Sequence, residues 1–159
     1  MMMNTNKKFS QCPLIFTALF LLVAVFVFSN SFRSGEESQA QSAPLVDLAE
    51  SIFDPNDVIP TEDFNFIVRK AAHIVEFSLI GLTLGGLMCC IHRLLGRWHI
   101  AAMLFIGLAT GVLDEFIQSF TGRTSSLSDV LIDFAGVILG MGLAAFIGCR
   151  QPKNGAKKK

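Results

Sequence analysis

A histidine and a glutamate stand three residues apart in RKAAHIVEF, at His73 and Glu76, with Arg69 and Lys70 just ahead of them. Farther on, DEFIQSFTGR carries Asp114, Glu115, Gln118 and Arg123, and SDVLIDFAG carries Asp129 and Asp133. An imidazole titrates near neutrality and can serve as general base or acid. A carboxylate such as Glu76 or Asp114 can orient it. Arg69, Lys70 and Arg123 can hold a phosphate, a geometry that the guanidinium fork suits. Together these are parts for a hydrolase or transferase working on a lipid headgroup. No nucleophile motif accompanies them, and Ser125, Ser126 and Ser128 read as helix-capping residues. Carboxylates with one histidine can also hold a divalent ion. HIVE is not the HExxH pattern, however, and acids paired with Arg69 and Arg123 need no ion, so neither a metal nor another cofactor is expected.

Helical spacing groups these residues. Arg69 and His73 are four apart and His73 and Glu76 three apart, so the three share a helix face. The same spacing of four relates Asp114 to Gln118 and Asp129 to Asp133. Gly81 and Gly85, Gly107 and Gly111, and Gly136 and Gly140 are likewise four apart, which permits close helix contact.

The elements that carry them are apolar. Of 159 residues, 52% are hydrophobic, and fifteen are Phe. A soluble domain of this length would struggle to hide that surface. PLIFTALFLLVAVFVF, from Pro13 to Phe28, holds no charge and follows Lys7 and Lys8. Small-x-small cleavage sites come too late after it, so it reads as an uncleaved helix rather than a signal peptide. Three more runs, each near 20 residues, follow from about Ala71, Ile100 and Val130. The expected fold class is all-α, a polytopic membrane protein with four transmembrane helices.

Charge orients the spans. Lys7 and Lys8, then Arg93 and Arg97, then Arg150, Lys153 and Lys157 to Lys159 fall at alternate ends, so both termini are expected in the cytoplasm. The expected organisation is a cytoplasmic tail over 1–12, a first span over 13–30 and an acidic extracytoplasmic loop over 31–66. A three-helix core over 67–149 and a basic cytoplasmic tail over 150–159 complete it. The loop reads as polar and mobile to Ser42, then as an amphipathic turn or two from Leu45. Thr61 reads as an N-cap, with Glu62 and Asp63 in the first turn behind it. Cys12, Cys89, Cys90 and Cys149 fall at the basic ends and are expected as buried, reduced thiols. This topology brings Arg69, Lys70, His73, Glu76, Asp114, Glu115, Gln118, Arg123, Asp129 and Asp133 to one level. All five acids outside the loop lie there. Charges at that depth need partners and are functional candidates by default.

RKAAHIVEF, DEFIQSFTGR and SDVLIDFAGVILG together resemble the VanZ-like family of small polytopic bacterial membrane proteins. The resemblance runs from Arg69 to Gly148 and includes an anchor helix before it. It marks the same ten polar positions, with Gly136 as a packing position. It implies a multi-pass protein of the bacterial cytoplasmic membrane. Some members are associated with teicoplanin resistance, so a lipid, a lipid-linked envelope substrate or a glycopeptide antibiotic is the implied partner. One position departs from the family pattern: Ile117 stands where a histidine is frequent, leaving His73 as the imidazole of this cluster. Three readings stay open: an enzyme, a lipid- or antibiotic-binding or transport protein, and a structural ion-pair network. A dry, fully paired cluster would favour the last. Nucleic acid is not an expected partner; the lysines of QPKNGAKKK fit the inner membrane surface.

Overall fold

The structure, a computed structural model, describes residues 3–54, 58–122 and 126–148. Among these there are five helices and no strand: α1 (Met3–Ser31), α2 (Gly35–Phe53), α3 (Thr61–Leu95), α4 (Ile100–Phe120) and α5 (Leu127–Gly148). Four of them, α1, α3, α4 and α5, are long and apolar enough to cross a membrane. The polarity pattern is that of a lipid-facing bundle. On α4, Phe105, Leu113 and Phe116 are exposed, whereas Gly107, Thr110, Gly111, Asp114, Glu115 and Gln118 are buried. Apolar side chains outside and polar ones inside are stable only where the surroundings are themselves apolar.

Helix α3 is the axis of the bundle and touches every other helix. Its 35 residues rise about 52 Å, well beyond a hydrocarbon core of about 30 Å. The start expected near Glu62 is met. Thr61, however, is the first helical residue and Pro60 the N-cap, with no side-chain cap bond. Proline suits a helix boundary because its φ is already fixed. The loop ahead is tied by Asp54, whose carboxylate accepts from the Val58 and Ile59 amides at 3.0 and 2.6 Å. At the other end Gly96 closes α3 with φ 69°, its amide donating to His92 O at 2.8 Å.

Helices α3 and α5 pack most closely, and glycine is the reason. A Cβ on Gly140 would stand 2.0 Å from Ser78 O, and one on Gly81 2.1 Å from Val137 O. Each helix thus presents a bare backbone to the other, as the spacing of four anticipates. Gly107 on α4 receives the Val137 side chain, whose Cγ1 would lie 2.4 Å from a Cβ there. Phe77, Ile80, Leu84 and Val137 fill the centre, and Ala24 and Val27 bring α1 onto it.

Two expectations are corrected. The segment read as mobile carries α2. Ser34 makes a capping box: its hydroxyl accepts from the Glu37 amide and the Glu37 carboxylate accepts from the Ser34 amide, both at 3.3 Å. Pro44 lies within α2 without ending it. Leu45, Leu48 and Ile52 form an exposed stripe on α2, and Val46 turns inward. The thiols also differ from expectation. Cys12 and Cys90 are joined by a disulfide, Cα–Cα 5.9 Å. Both fall at the same end of antiparallel neighbours, and Phe16, one turn beyond Cys12, packs on Gly86, which sets the two helices in register. Cys149 and the basic tail lie outside the described residues.

Candidate functional site

At the end of the bundle away from that disulfide, the last turn of α1 meets the polar stretches of α3, α4 and α5. Helix periodicity sets the inward face of each. Gly111, Asp114, Glu115 and Gln118 are consecutive inward positions of α4, and Asp133, Gly136, Val137 and Gly140 are those of α5. The polar groups therefore continue the same stripe that the glycines begin.

His73 is the link between α3 and α5. Its Nδ1 lies 3.1 Å from Asp133 Oδ1, and Phe77 stacks near its ring, with centroids 6.5 Å apart. With the proton on Nδ1, the imidazole donates to Asp133 and keeps a lone pair on Nε2. Asp133 is thus the group that orients His73, a role that the sequence offered to Glu76 or Asp114. Glu76 instead accepts from Asn30 Nδ2 at 2.9 Å. Asp114 is held from two sides: Ser31 Oγ donates to its Oδ1 and Gln118 Nε2 to its Oδ2, the latter at 2.6 Å. Glu115 turns toward the α4–α5 connection, where its Oε2 accepts from the Ser126 amide at 3.1 Å. Ser126 also caps α5, its hydroxyl accepting from the Asp129 amide at 3.3 Å. At the rim Lys70 pairs with Asp129 and lies 5.1 Å above the Phe66 ring.

Asp114 and Asp133 are both fully buried. One ligand-capable atom from each, with one from His73, lie within 4.8 Å of one another. Two buried oxygens, Asp133 Oδ2 and Glu115 Oε1, have no hydrogen-bond partner among the described residues. Buried polar groups are as a rule hydrogen-bonded, so each of these two oxygens is an exception that calls for an explanation.

Most of the expected residues meet, but not all in the expected pairs. Arg69 is half-buried and makes no ion pair or side-chain hydrogen bond among the described residues. Arg123 lies outside the described residues, as does Ser125. Asn30 and Ser31 were missed by the sequence reading. Their signal was the polar pair in FSNS at the end of the first apolar run, on the level of the other polar groups.

The family model VanZ/LLP1 matches residues 15–148. The chain belongs to the VanZ/LLP1 family. The match takes in α1 from Ile15 onward, so in this VanZ/LLP1 protein the first helix is part of the family unit and not an appended anchor. No curated protein matches the chain, and no solved structure does.

Proposed function

We propose that this VanZ/LLP1 protein sits in the bacterial cytoplasmic membrane and binds, at its outer polar cluster, a lipid-linked or cell-envelope substrate, on which His73 acts by proton transfer. Lowered susceptibility to a lipid-bearing glycopeptide such as teicoplanin is the cellular consequence that we attach to it. The observation that carries this reading is the His73–Asp133 pair, with one Asp133 oxygen left unspent in a buried setting. Membrane proteins keep ionisable groups at such depth for ligands, ions or protons. Lys70 and Arg69 stand about one turn nearer the surface than His73 and supply positive charge for a phosphate-bearing headgroup. Gln118 and Asp129 line the same level, and Arg123 is assigned to it by sequence alone.

A structural reading has its own support, since Asn30–Glu76, Ser31–Asp114 and His73–Asp133 each tie two helices. Two substitutions separate the readings. His73→Gln keeps reach and polarity but cannot take and return a proton at neutral pH. Glu76→Gln keeps the bond to Asn30. Survival under teicoplanin is measured beside the amount of folded protein in the membrane. Under our proposal His73→Gln loses survival at an unchanged protein level. Loss of the protein itself in both variants points to scaffold, and full survival at normal level in both removes the site.

The outer placement of this cluster follows from the basic residues at the opposite end. Disulfides, by contrast, persist in oxidising compartments, so the Cys12–Cys90 bond argues the other way. We follow the charges: insertion is decided by the basic residues, whereas the proximity of two thiols decides only what forms once an oxidant reaches them. Single cysteines at Gln39 and Asn154, in a background without native thiols, test this with an impermeant maleimide on whole cells. Gln39 should label and Asn154 should not; the reverse pattern would place the cluster in the cytoplasm.

A further inference from the structure

The geometry points to a divalent transition-metal site formed by His73, Asp114 and Asp133. These come from three helices, α3, α4 and α5, and their ligand-capable atoms lie within 4.8 Å of one another. The Nδ1–Oδ1 separation of 3.1 Å equals the edge between adjacent ligands of an octahedral ion with bonds of about 2.1 to 2.2 Å, and opposite ligands of such an ion stand about 4.2 to 4.4 Å apart. Small side-chain adjustments therefore close the set around one ion.

A second observation is independent of that spacing. Asp133 has no exposed surface, and its Oδ2 has no partner among the described residues. That oxygen is aimed at α4: it would lie 3.8 Å from a Cβ on Gly111, one turn before Asp114 on the same face. A buried carboxylate oxygen costs free energy unless it meets a proton, a donor or an ion. Arginine pairing, which the sequence offers as the alternative, does not supply it from Arg69, which makes no ion pair among the described residues. Lys70 is taken by Asp129.

The donor set selects the ion. Two carboxylates alone would suit Mg²⁺ or Ca²⁺, but an imidazole nitrogen shifts preference toward Mn²⁺ or Zn²⁺. Ser31 and Gln118 hold Asp114 by one hydrogen bond to each oxygen. These two donors orient the Asp114 carboxylate. Three protein ligands leave positions for an oxygen of the substrate. An ion on His73 Nδ1 takes the place of the proton that Nδ1 donates to Asp133. The site therefore keeps only the substrate class of the function proposed above and not the proton transfer by His73: a phosphate oxygen of a lipid headgroup fits there, with Lys70 and Arg69 about one turn nearer the surface.

The test needs no substrate. The full chain is purified in detergent on a tag without histidine, stripped with a chelator, and titrated with Mn²⁺ under electron paramagnetic resonance. We expect one tightly bound ion per chain, with nitrogen hyperfine coupling from an imidazole. Asp114→Asn and Asp133→Asn should weaken binding by about tenfold or more, since each removes a charged ligand. His73→Gln should abolish the nitrogen coupling. Thermal melting of each variant identifies any that misfolds, and ligands on three helices make three separate trials. No bound ion in the unsubstituted protein overturns the site, as does binding unchanged in every folded variant. Bound ion with survival under teicoplanin intact in the variants would keep the metal site and remove the function proposed above. No ion, with survival lost in His73→Gln, would do the reverse.

Discussion

Asp133→Asn should lower function by about 10² or more at an unchanged or raised melting temperature. The change is isosteric, so packing against Gly111 is kept. What is lost is a charge that has no exposed surface. Removing a fully buried charge whose partner is a single imidazole relieves a desolvation cost, so the fold gains or stands still. The site loses in two ways. An amide can present its NH₂ group to His73 Nδ1 and so reverse the tautomer of the ring. It also no longer stabilises a positive imidazolium. Stability and activity moving in opposite directions is the signature of a working group. Asp129→Asn is the companion: its partner Lys70 is at the rim and partly exposed, and exposed pairs contribute about 0–1 kcal/mol. It should change survival under teicoplanin much less. A melting temperature that drops in Asp133→Asn, with function falling only in proportion to folded protein, would make Asp133 a structural residue.

Gly140→Leu should cost more stability than any polar substitution in the cluster. The first carbon of the new side chain would stand 2.0 Å from Ser78 O and 2.7 Å from the Leu82 amide, both backbone atoms. Helix backbone cannot swing aside as a side chain does, so α3 and α5 must part. Overpacking of this kind costs about 1–3 kcal/mol, occasionally more. The separation would also reach the site, because Ser78 is little more than one turn from His73, and the 3.1 Å contact with Asp133 spans the same two helices. Gly142, on the same helix, has nothing within 4 Å of its would-be Cβ. Gly142→Leu should therefore leave membrane level and melting unchanged. Equal behaviour of the two variants would show that α3 and α5 do not approach through Gly140.

What was legible in the sequence divides along one physical line. Apolar run length fixes how far along its axis each polar residue lies, so the common level of His73, Asp114 and Asp133 could be read. Spacing within one helix could be read too: Gln118 bonds Asp114 four residues back, and the glycine pairs do face neighbours. Rotation of each helix about its axis is set by contacts with the others, and no local pattern encodes it. Hence depth alone does not choose between Glu76, Asp114 and Asp133 as the partner of His73, which the structure gives as Asp133. Asn30 and Ser31 do not stand out because α1 is apolar enough to read as a simple anchor. Helix α2 is hard to read because its capping box, Ser34 with Glu37, sits in a segment whose composition otherwise suggests disorder. The level of Cys12 and Cys90 at one end is legible, but adjacency across 78 positions in the chain is again a matter of rotation.

The last turn of α1 has a consequence for how this protein can be re-engineered. Asn30 holds Glu76 and Ser31 holds Asp114, while Val27 is sealed into the centre. A generic hydrophobic leader of equal length would still insert and would still retain the chain in the bilayer. It would not bring a hydroxyl and an amide to two of the carboxylates opposite. Chimaeras that exchange this helix between relatives would therefore transplant part of the site along with it, and truncations that begin at α3 would give a protein that is made, is membrane-bound, and is incomplete.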